Sequence, residues 1–371
     1  MYIIVSFLLS LIFGLASYPL ILDFCQRKGF YDIPNERKVH PQPIPRLGGI
    51  IFVPNMLIAF SIIMLLMNPY LGNRTMQISF RSFSFLISLV VIYFTGFLDD
   101  LIGLNARLKF CAQITAAMFI PLGGLCRIDT LHGFCGINEI SFWPSVILTI
   151  FVMVFIMNAI NMIDGIDGLC ASLSFMALGG FLFSFWREGL DLYCTLIAGM
   201  MGVLIAFFYY NVFGCADKNR KIFMGDSGCL TLGFILSFLF VKYASFNPLV
   251  APVHIDRLLI PFTLLIVPIL DTVRIIIVRI RHHLPLFKAD KNHIHHKLMR
   301  AGLTQHQALC VILLLALFFI VVNLVIVRHV SVTWIVIVDL VLWTALNFRL
   351  NLYLRSKGQP AFLEIKSESQ A

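Results

Sequence analysis

Apolar stretches long enough to cross a bilayer recur from one end of the sequence to the other, and they restrict the fold more than any other feature. A helix needs ~20 residues to traverse the hydrocarbon core. Irregular backbone and open sheet edges are not tolerated there, because lipid offers no partner for N–H or C=O groups. The chain therefore reads as an all-α polytopic integral membrane protein. Eleven candidate spans fall near 2–24, 49–68, 83–98, 108–124, 143–162, 168–186, 191–213, 227–246, 257–278, 309–328 and 331–349. That gives about 10–11 transmembrane helices in a single membrane domain, 1–371. Composition agrees: 59% of the residues are hydrophobic and 13% charged, with a mean hydropathy of +0.91, against ~25% charged in a soluble domain.

The first stretch reads as a span and not as a signal peptide, since no basic residue precedes it and it is longer than an h-region. Arg27 and Lys28 follow it, which predicts an outside N-terminus and a cytosolic first loop. Of the 28 Lys and Arg residues, 21 lie in loops and span ends that follow odd-numbered spans. The positive-inside rule then makes that side cytosolic. Topology accounts for the net charge of +9, so no nucleic-acid footprint is needed. The nine cysteines show no CxxC or zinc spacing. Cys126 and Cys135 share one outer loop, where an oxidising environment would permit a disulfide. The surrounding segment, 125–142, has room for a short hairpin; the chain closes on a short polar tail, about 355–371, whose end KSESQA reads as disordered.

Parity also organises the chemistry. Each polar or Gly-rich concentration follows an odd-numbered span: 32–49 (DIPNERKVHPQPIPRLGG), 96–109 (GFLDDLIGLNARLK), 158–169 (NAINMIDGIDGL), 210–228 (YNVFGCADKNRKIFMGDSG) and 290–302 (DKNHIHHKLMRAG). Five distant segments are thus expected at one membrane face.

Within them, Asn158, Asn161, Asp164 and Asp167 recur every three residues, which predicts one polar stripe along a helix. Interhelical hydrogen bonding is the plain reading, but two carboxylates at membrane depth point to function. Adjacent Asp99 and Asp100 at a span's end repel each other unless a cation is near, and they oppose the helix dipole. Arg107 and Lys109 follow and can return to them. In KIFMGDSG, glycines flank Asp226 where a metal-bound phosphate could approach; an ordinary interhelical turn is the alternative. His293, His295 and His296 sit among Lys288, Lys291, Lys297 and Arg300. No acidic or thiolate cluster completes a zinc site there, so an anion such as a pyrophosphate fits better; a basic loop on anionic lipid is the simpler alternative. Carboxylate and amide oxygens suit Mg²⁺ or Mn²⁺. With no Walker A loop, metal-assisted phosphoryl transfer at the membrane surface explains more than ATP-driven transport. A cation-coupled transporter is the rival from another class.

Together these motifs resemble the polyprenyl-phosphate N-acetylhexosamine-1-phosphate transferases, the WecA and TagO-like branch of the MraY superfamily, over about residues 25–305. The resemblance implies an active site of cytosolic loops in the bacterial inner membrane. There, a sugar 1-phosphate (GlcNAc-1-phosphate by the HIHH form) passes from a UDP-sugar to undecaprenyl phosphate with release of UMP. The lipid-linked product would initiate a surface polysaccharide such as O-antigen or capsule; another UDP-HexNAc or UDP-MurNAc-pentapeptide are the variants. It further implies Asp226 and Asn161 as Mg²⁺ ligands (Mn²⁺ as substitute), and Asp99 as base with Asp100 beside it. Asp164, Lys109 and His295 join these as catalytic residues. Asp167, Asn211 and Phe223 resemble uridine contacts, and Arg46, Asn158, His293, His296 and Arg300 complete the substrate-binding set. A serine is frequent in relatives where Cys229 stands. The expected partners are the two substrates and membrane lipid, with no nucleic acid; a homodimer stays open.

Overall fold

The computed structural model describes residues 1–33, 42–67, 80–245, 257–284 and 291–363. Residues 34–41 of the first-loop motif and residues 285–290, with Lys288, therefore lie outside the described residues. Among the described residues thirteen α-helices succeed one another: α1 (Tyr2–Lys28), α2 (Phe52–Met67), α3 (Ser82–Ile102), α4 (Ala106–Leu122), α5 (Phe142–Ile163), α6 (Leu169–Arg187), α7 (Asp191–Val212), α8 (Gly225–Ala244), α9 (Leu259–Leu264), α10 (Ile266–Arg281), α11 (Ile294–Arg300), α12 (Gln305–Ile326) and α13 (Val332–Ser356). Among the described residues the only sheet is a two-stranded pair, β1 (Tyr31–Asp32) against β2 (Ile44–Pro45), closing the first loop.

Nine of these helical segments are long and apolar enough to span a membrane among the described residues. The two other expected spans are α4, which has 17 residues, and the α9–α10 pair. That pair breaks at Leu265. Pro268 lacks the N–H that would bond the Leu264 carbonyl, and its ring crowds that carbonyl, so the helix interrupts there.

Burial ranks the helices. Of the central window of α8, 94% is buried, against 22% for α1 and for α13. α8 is therefore the axis of the bundle, with α3 and α5 packed on it. Peripheral helices present apolar side chains outward, including Leu314, Val325, Trp334 and Val341, as a lipid-facing surface requires. α3 crosses α8 closely because Gly96 carries no side chain: a Cβ there would stand 2.6 Å from Ser227 Cα. This crossing sets the C-terminal end of α3 beside the first turn of α8.

A polar network joins the last helices. Asn323 of α12 donates to Asp339 of α13 (2.8 Å) and to Thr263 of α9 (3.0 Å), and Asn323 and Asp339 are both buried. In the segment 125–142, Thr130 and Glu139 form an isolated antiparallel bridge. Cys126 is buried and Cys135 exposed, and both thiols are free.

Replacing Asp339 by Leu is expected to lower the unfolding free energy by about 0.6–1.7 kcal/mol, the range for interhelical hydrogen bonds in lipid. Asp339→Asn should stay near wild type. Thermal melting in detergent reads both, and identical curves for Asp339→Leu and wild type would show that the network adds nothing.

Candidate active site

The first turn of α8 carries N–H groups that its own helix cannot satisfy. Asp100, at the end of α3, satisfies two of them: Oδ1 accepts from Asp226 N–H (2.8 Å) and Oδ2 from Ser227 N–H (3.0 Å). Both oxygens of Asp100 are thereby engaged in capping, and the residue is 3% exposed. The segment before α8 is fixed from the other side by the first loop. Phe223 N–H donates to Pro45 O (2.8 Å), Gly48 N–H to Phe223 O (2.9 Å) and Gly49 N–H to Met224 O (2.8 Å). Gly49 lies so close to the Gly228 backbone that any Cβ would overlap it. Phe223 is thus held by its main chain, with its ring half-buried.

Asp99 turns the other way. Its Oδ1 accepts from Leu104 N–H (2.6 Å) and its Oδ2 from Lys109 Nζ (2.9 Å). Lys109 comes from the first turn of α4, which Asn105 caps by accepting Leu108 N–H (2.7 Å). The same Nζ lies 3.6 Å from Asp226 Oδ1. Two carboxylates therefore share one lysine, with Asp100 bound to the backbone beside them. Like charges this close favour a cation between or beside them, and the donors are hard oxygens of the kind Mg²⁺ prefers. Asn161, half-buried on α5, makes no side-chain hydrogen bond to a described residue, and its amide oxygen remains open.

The expected stripe through Asp167 ends early. α5 stops at Ile163, Asp164 is its C-cap, and Asp167 lies in the turn to α6. Gly168 adopts φ +75°, a left-handed conformation that favours glycine. Its N–H donates to Asn211 Oδ1 (2.7 Å), while Asn211 Nδ2 donates to Ile222 O (2.9 Å). Asn211, expected as a uridine contact, instead staples two loops together with both ends of its amide. Asn158 likewise faces inward, donating to Gln113 of α4 (2.7 Å) and to Val154 O (2.8 Å); the interhelical reading holds for it. Asp167 pairs with Lys221 at 2.6 Å. Lys221 escaped the sequence reading, although it stands two residues before Phe223.

The histidine segment is built on a residue that also escaped it. Asp271, buried in α10, holds His293 Nδ1 (2.8 Å), Arg274 Nη2 (2.7 Å) and Ile294 N–H (3.2 Å). An aspartate inside LIVPILDTVRIII was the available signal. His293 is 6% exposed and held by this carboxylate, so it anchors the segment. His295 reaches the α5–α6 turn: a Cβ on Gly165 would overlap its imidazole. Both ring nitrogens of His295 are buried without a hydrogen-bond partner among the described residues, as is Arg46 Nε. Burial, then the nearby His296 and His293, hold His295 well below the ordinary histidine range, so it stays neutral at pH 7. His296 packs on it at 4.2 Å between ring centroids. Arg300 turns to the C-terminal segment, donating to Pro360 O (2.8 Å). Lys297 turns inward onto Asn351 (2.8 Å), and burial followed by Arg274 draws its ammonium down to about 7.

All five polar segments thus meet at one end of the bundle. A family model described as glycosyl transferase family 4 matches residues 82–244. A probable undecaprenyl-phosphate N-acetylglucosaminyl 1-phosphate transferase of Bacillus subtilis (strain 168) is 33% identical over 317 residues, spanning 85% of this chain and 83% of the relative. The chain belongs to this transferase family. Undecaprenyl-phosphate alpha-N-acetylglucosaminyl 1-phosphate transferases of Yersinia pestis and Escherichia coli (strain K12) are 30% and 28% identical, each over 78% of this chain and over 74% and 75% of their own lengths. The region matched by the family model holds Asp99, Lys109, Asn161, Asp164 and Asp226; the histidine segment lies beyond it.

Two substitutions test the loop geometry. Asn211→Ala strands the Gly168 N–H and the Ile222 carbonyl, and each buried orphan costs about 1–3 kcal/mol; a clear drop in melting temperature is expected, and an unchanged one would refute the staple. Gly165→Ala should push His295 aside and lower turnover about 10²-fold, the scale of a 1 Å misplacement, with little change in melting. Full activity in that variant would remove His295 from the site.

Proposed function

We propose that the protein transfers an N-acetylhexosamine 1-phosphate, GlcNAc-1-phosphate first among the choices, from a UDP-sugar to undecaprenyl phosphate. The products are UMP and a lipid-linked pyrophosphoryl sugar that starts a surface polysaccharide. The convergence of Asp99, Lys109, Asp226 and His295 at one end of a membrane bundle carries this reading, because a lipid phosphate and a water-borne nucleotide can meet only at that boundary. The names of the relatives supply undecaprenyl phosphate as acceptor and N-acetylglucosaminyl 1-phosphate as the group transferred. The excess of Lys and Arg in loops on the site's side supports a cytosolic site, and bacterial relatives support the inner membrane.

Mg²⁺ fits the donor chemistry present: Asp226 and Asn161 offer hard oxygens, and Asp99 shares Lys109 with Asp226. When bound it neutralises charge on the phosphoryl oxygens. The chain's own groups do the rest. An oxygen of the lipid phosphate attacks the β-phosphorus in line, the bond to the bridging oxygen breaks, and UMP leaves with that oxygen. Lys109 attracts the incoming phosphate. The unpartnered nitrogens of Arg46 and His295 offer donors to pyrophosphate or sugar oxygens. A phosphate monoester has its second pKa near ~6, so base catalysis by Asp99 adds modestly. Both oxygens of Asp99 accept hydrogen bonds, which favours direct transfer over an aspartyl intermediate. The site carboxylates Asp99, Asp100 and Asp226 stand at helix ends, unlike the midplane groups of a cation-coupled transporter.

Purified protein given undecaprenyl phosphate, Mg²⁺ and a panel of UDP-sugars should release UMP fastest from UDP-GlcNAc, and chelation should stop it. Asp226→Asn is expected to lower the rate by about 10²–10³-fold, as when one preorganised charge-stabilising group is lost, without unfolding. Near-normal turnover by that variant would refute its metal role, and no UMP from any UDP-sugar would refute the reaction.

A further inference from the structure

Behind the α5–α6 turn lies a group of side chains that the transfer reaction does not fully employ. One oxygen of Asp164 and the sulfurs of Cys170 and Cys229 all lie within 4.8 Å of one another. Cys229 Sγ stands 3.1 Å from Asp164 Oδ2. Cys170 belongs to the first turn of α6 and Cys229 to the second of α8, so three segments contribute one ligand atom each. The two thiols are 1% and 3% exposed, whereas Asp164 is exposed. The cluster is therefore lined by sulfur and open on its carboxylate side.

Membrane-buried thiols usually pack as small apolar groups. Such packing does not explain why both sulfurs gather against a carboxylate that faces water. The arrangement matches a borderline-soft divalent ion. Zn–S bonds of about 2.3 Å and Zn–O bonds of about 2.0–2.2 Å leave tetrahedral ligand atoms about 3.5–3.8 Å apart, which small side-chain rotations reach from here. Three protein ligands and one position open to water complete four-coordination. Thiolate donors favour Zn²⁺, Co²⁺ or Cd²⁺ and reject Mg²⁺, which prefers the all-oxygen set around Asp226.

We propose that Asp164, Cys170 and Cys229 form a second cation site, selective for Zn²⁺-like ions over Mg²⁺, through which such ions inhibit the enzyme by taking the Asp164 carboxylate. Each thiol gives up its proton to solvent as its sulfur binds the ion. The inhibitory half rests on the function proposed above; the binding half does not.

The full-length protein, purified in detergent and freed of metal by chelation, is titrated with Co²⁺ and followed by visible and near-ultraviolet absorbance. A thiolate-to-cobalt charge-transfer band with tetrahedral ligand-field absorption should saturate at one equivalent, be displaced by Zn²⁺, and ignore excess Mg²⁺. Cys170→Ala should keep basal UMP release, lose the inhibition by Zn²⁺, and bind Co²⁺ more weakly by over ~100-fold, beyond the 10–100-fold loss typical of an outer-shell partner. Asp164→Asn, nearly isosteric, should retain the sulfur band at reduced affinity, which keeps the test open if the alanine variant fails to fold. Absence of the band in the wild-type protein, or its persistence at full strength in Cys170→Ala, would overturn the site. A Cys170-dependent band without Zn²⁺ inhibition would overturn the inhibitory half. A Cys170-dependent band in a protein that releases no UMP would instead count against the transferase reading alone.

Discussion

The carboxylate of Asp100 on the first turn of α8 is the contact from which the rest of the site follows. α8 is the buried axis of the bundle, and its leading N–H groups have no intrahelical partners. Supplying two acceptors from the end of α3 ties the two helices at their tips, while Gly96 lets them cross closely lower down. Once those tips are joined, Asp99 necessarily projects beside Asp226. Lys109, returning on α4, then finds two carboxylates within reach of one ammonium.

The polar residues of the site divide by what remains open on them. Both oxygens of Asp100, both ends of the Asn211 amide, the Asn158 amide nitrogen and His293 Nδ1 are taken up by backbone, Gln113 or Asp271. They shape the loops. Asn161, Arg46 Nε and both nitrogens of His295 remain unengaged among the described residues. In a region where an unpaired buried polar group is costly, such orphans are the places where a polar ligand recovers hydrogen-bonding energy. The division is chemical, and it cuts across two of the motifs: 158–169 contributes Asn158 to one set and Asn161 to the other, and 290–302 contributes His293 and His295.

Much of this was legible beforehand. Long apolar runs allow few alternatives in lipid, so the class of fold and the approximate spans followed from hydropathy, and the parity of the polar segments foretold their meeting. The misreadings have local causes. A three-residue period implied that α5 would continue through Asp167, but Gly165 and Gly168 and the pull of Asn211 ended it at Ile163. Pro268 divided a span that hydropathy alone treated as continuous. Asp271 and Lys221 were overlooked because their importance lies in partners distant in the chain.

Membership of the membrane class, the number of crossings within a narrow margin and the gathering of the polar loops at one end were all determined by the sequence itself, since burial of apolar side chains and satisfaction of the backbone are properties of each segment taken singly. Which carboxylate caps a helix and which stays available, and that two cysteines from different helices lie against Asp164, were decided only in three dimensions. Those outcomes depend on helix crossings set by packing around α8, and packing is a relation between segments that no single stretch encodes.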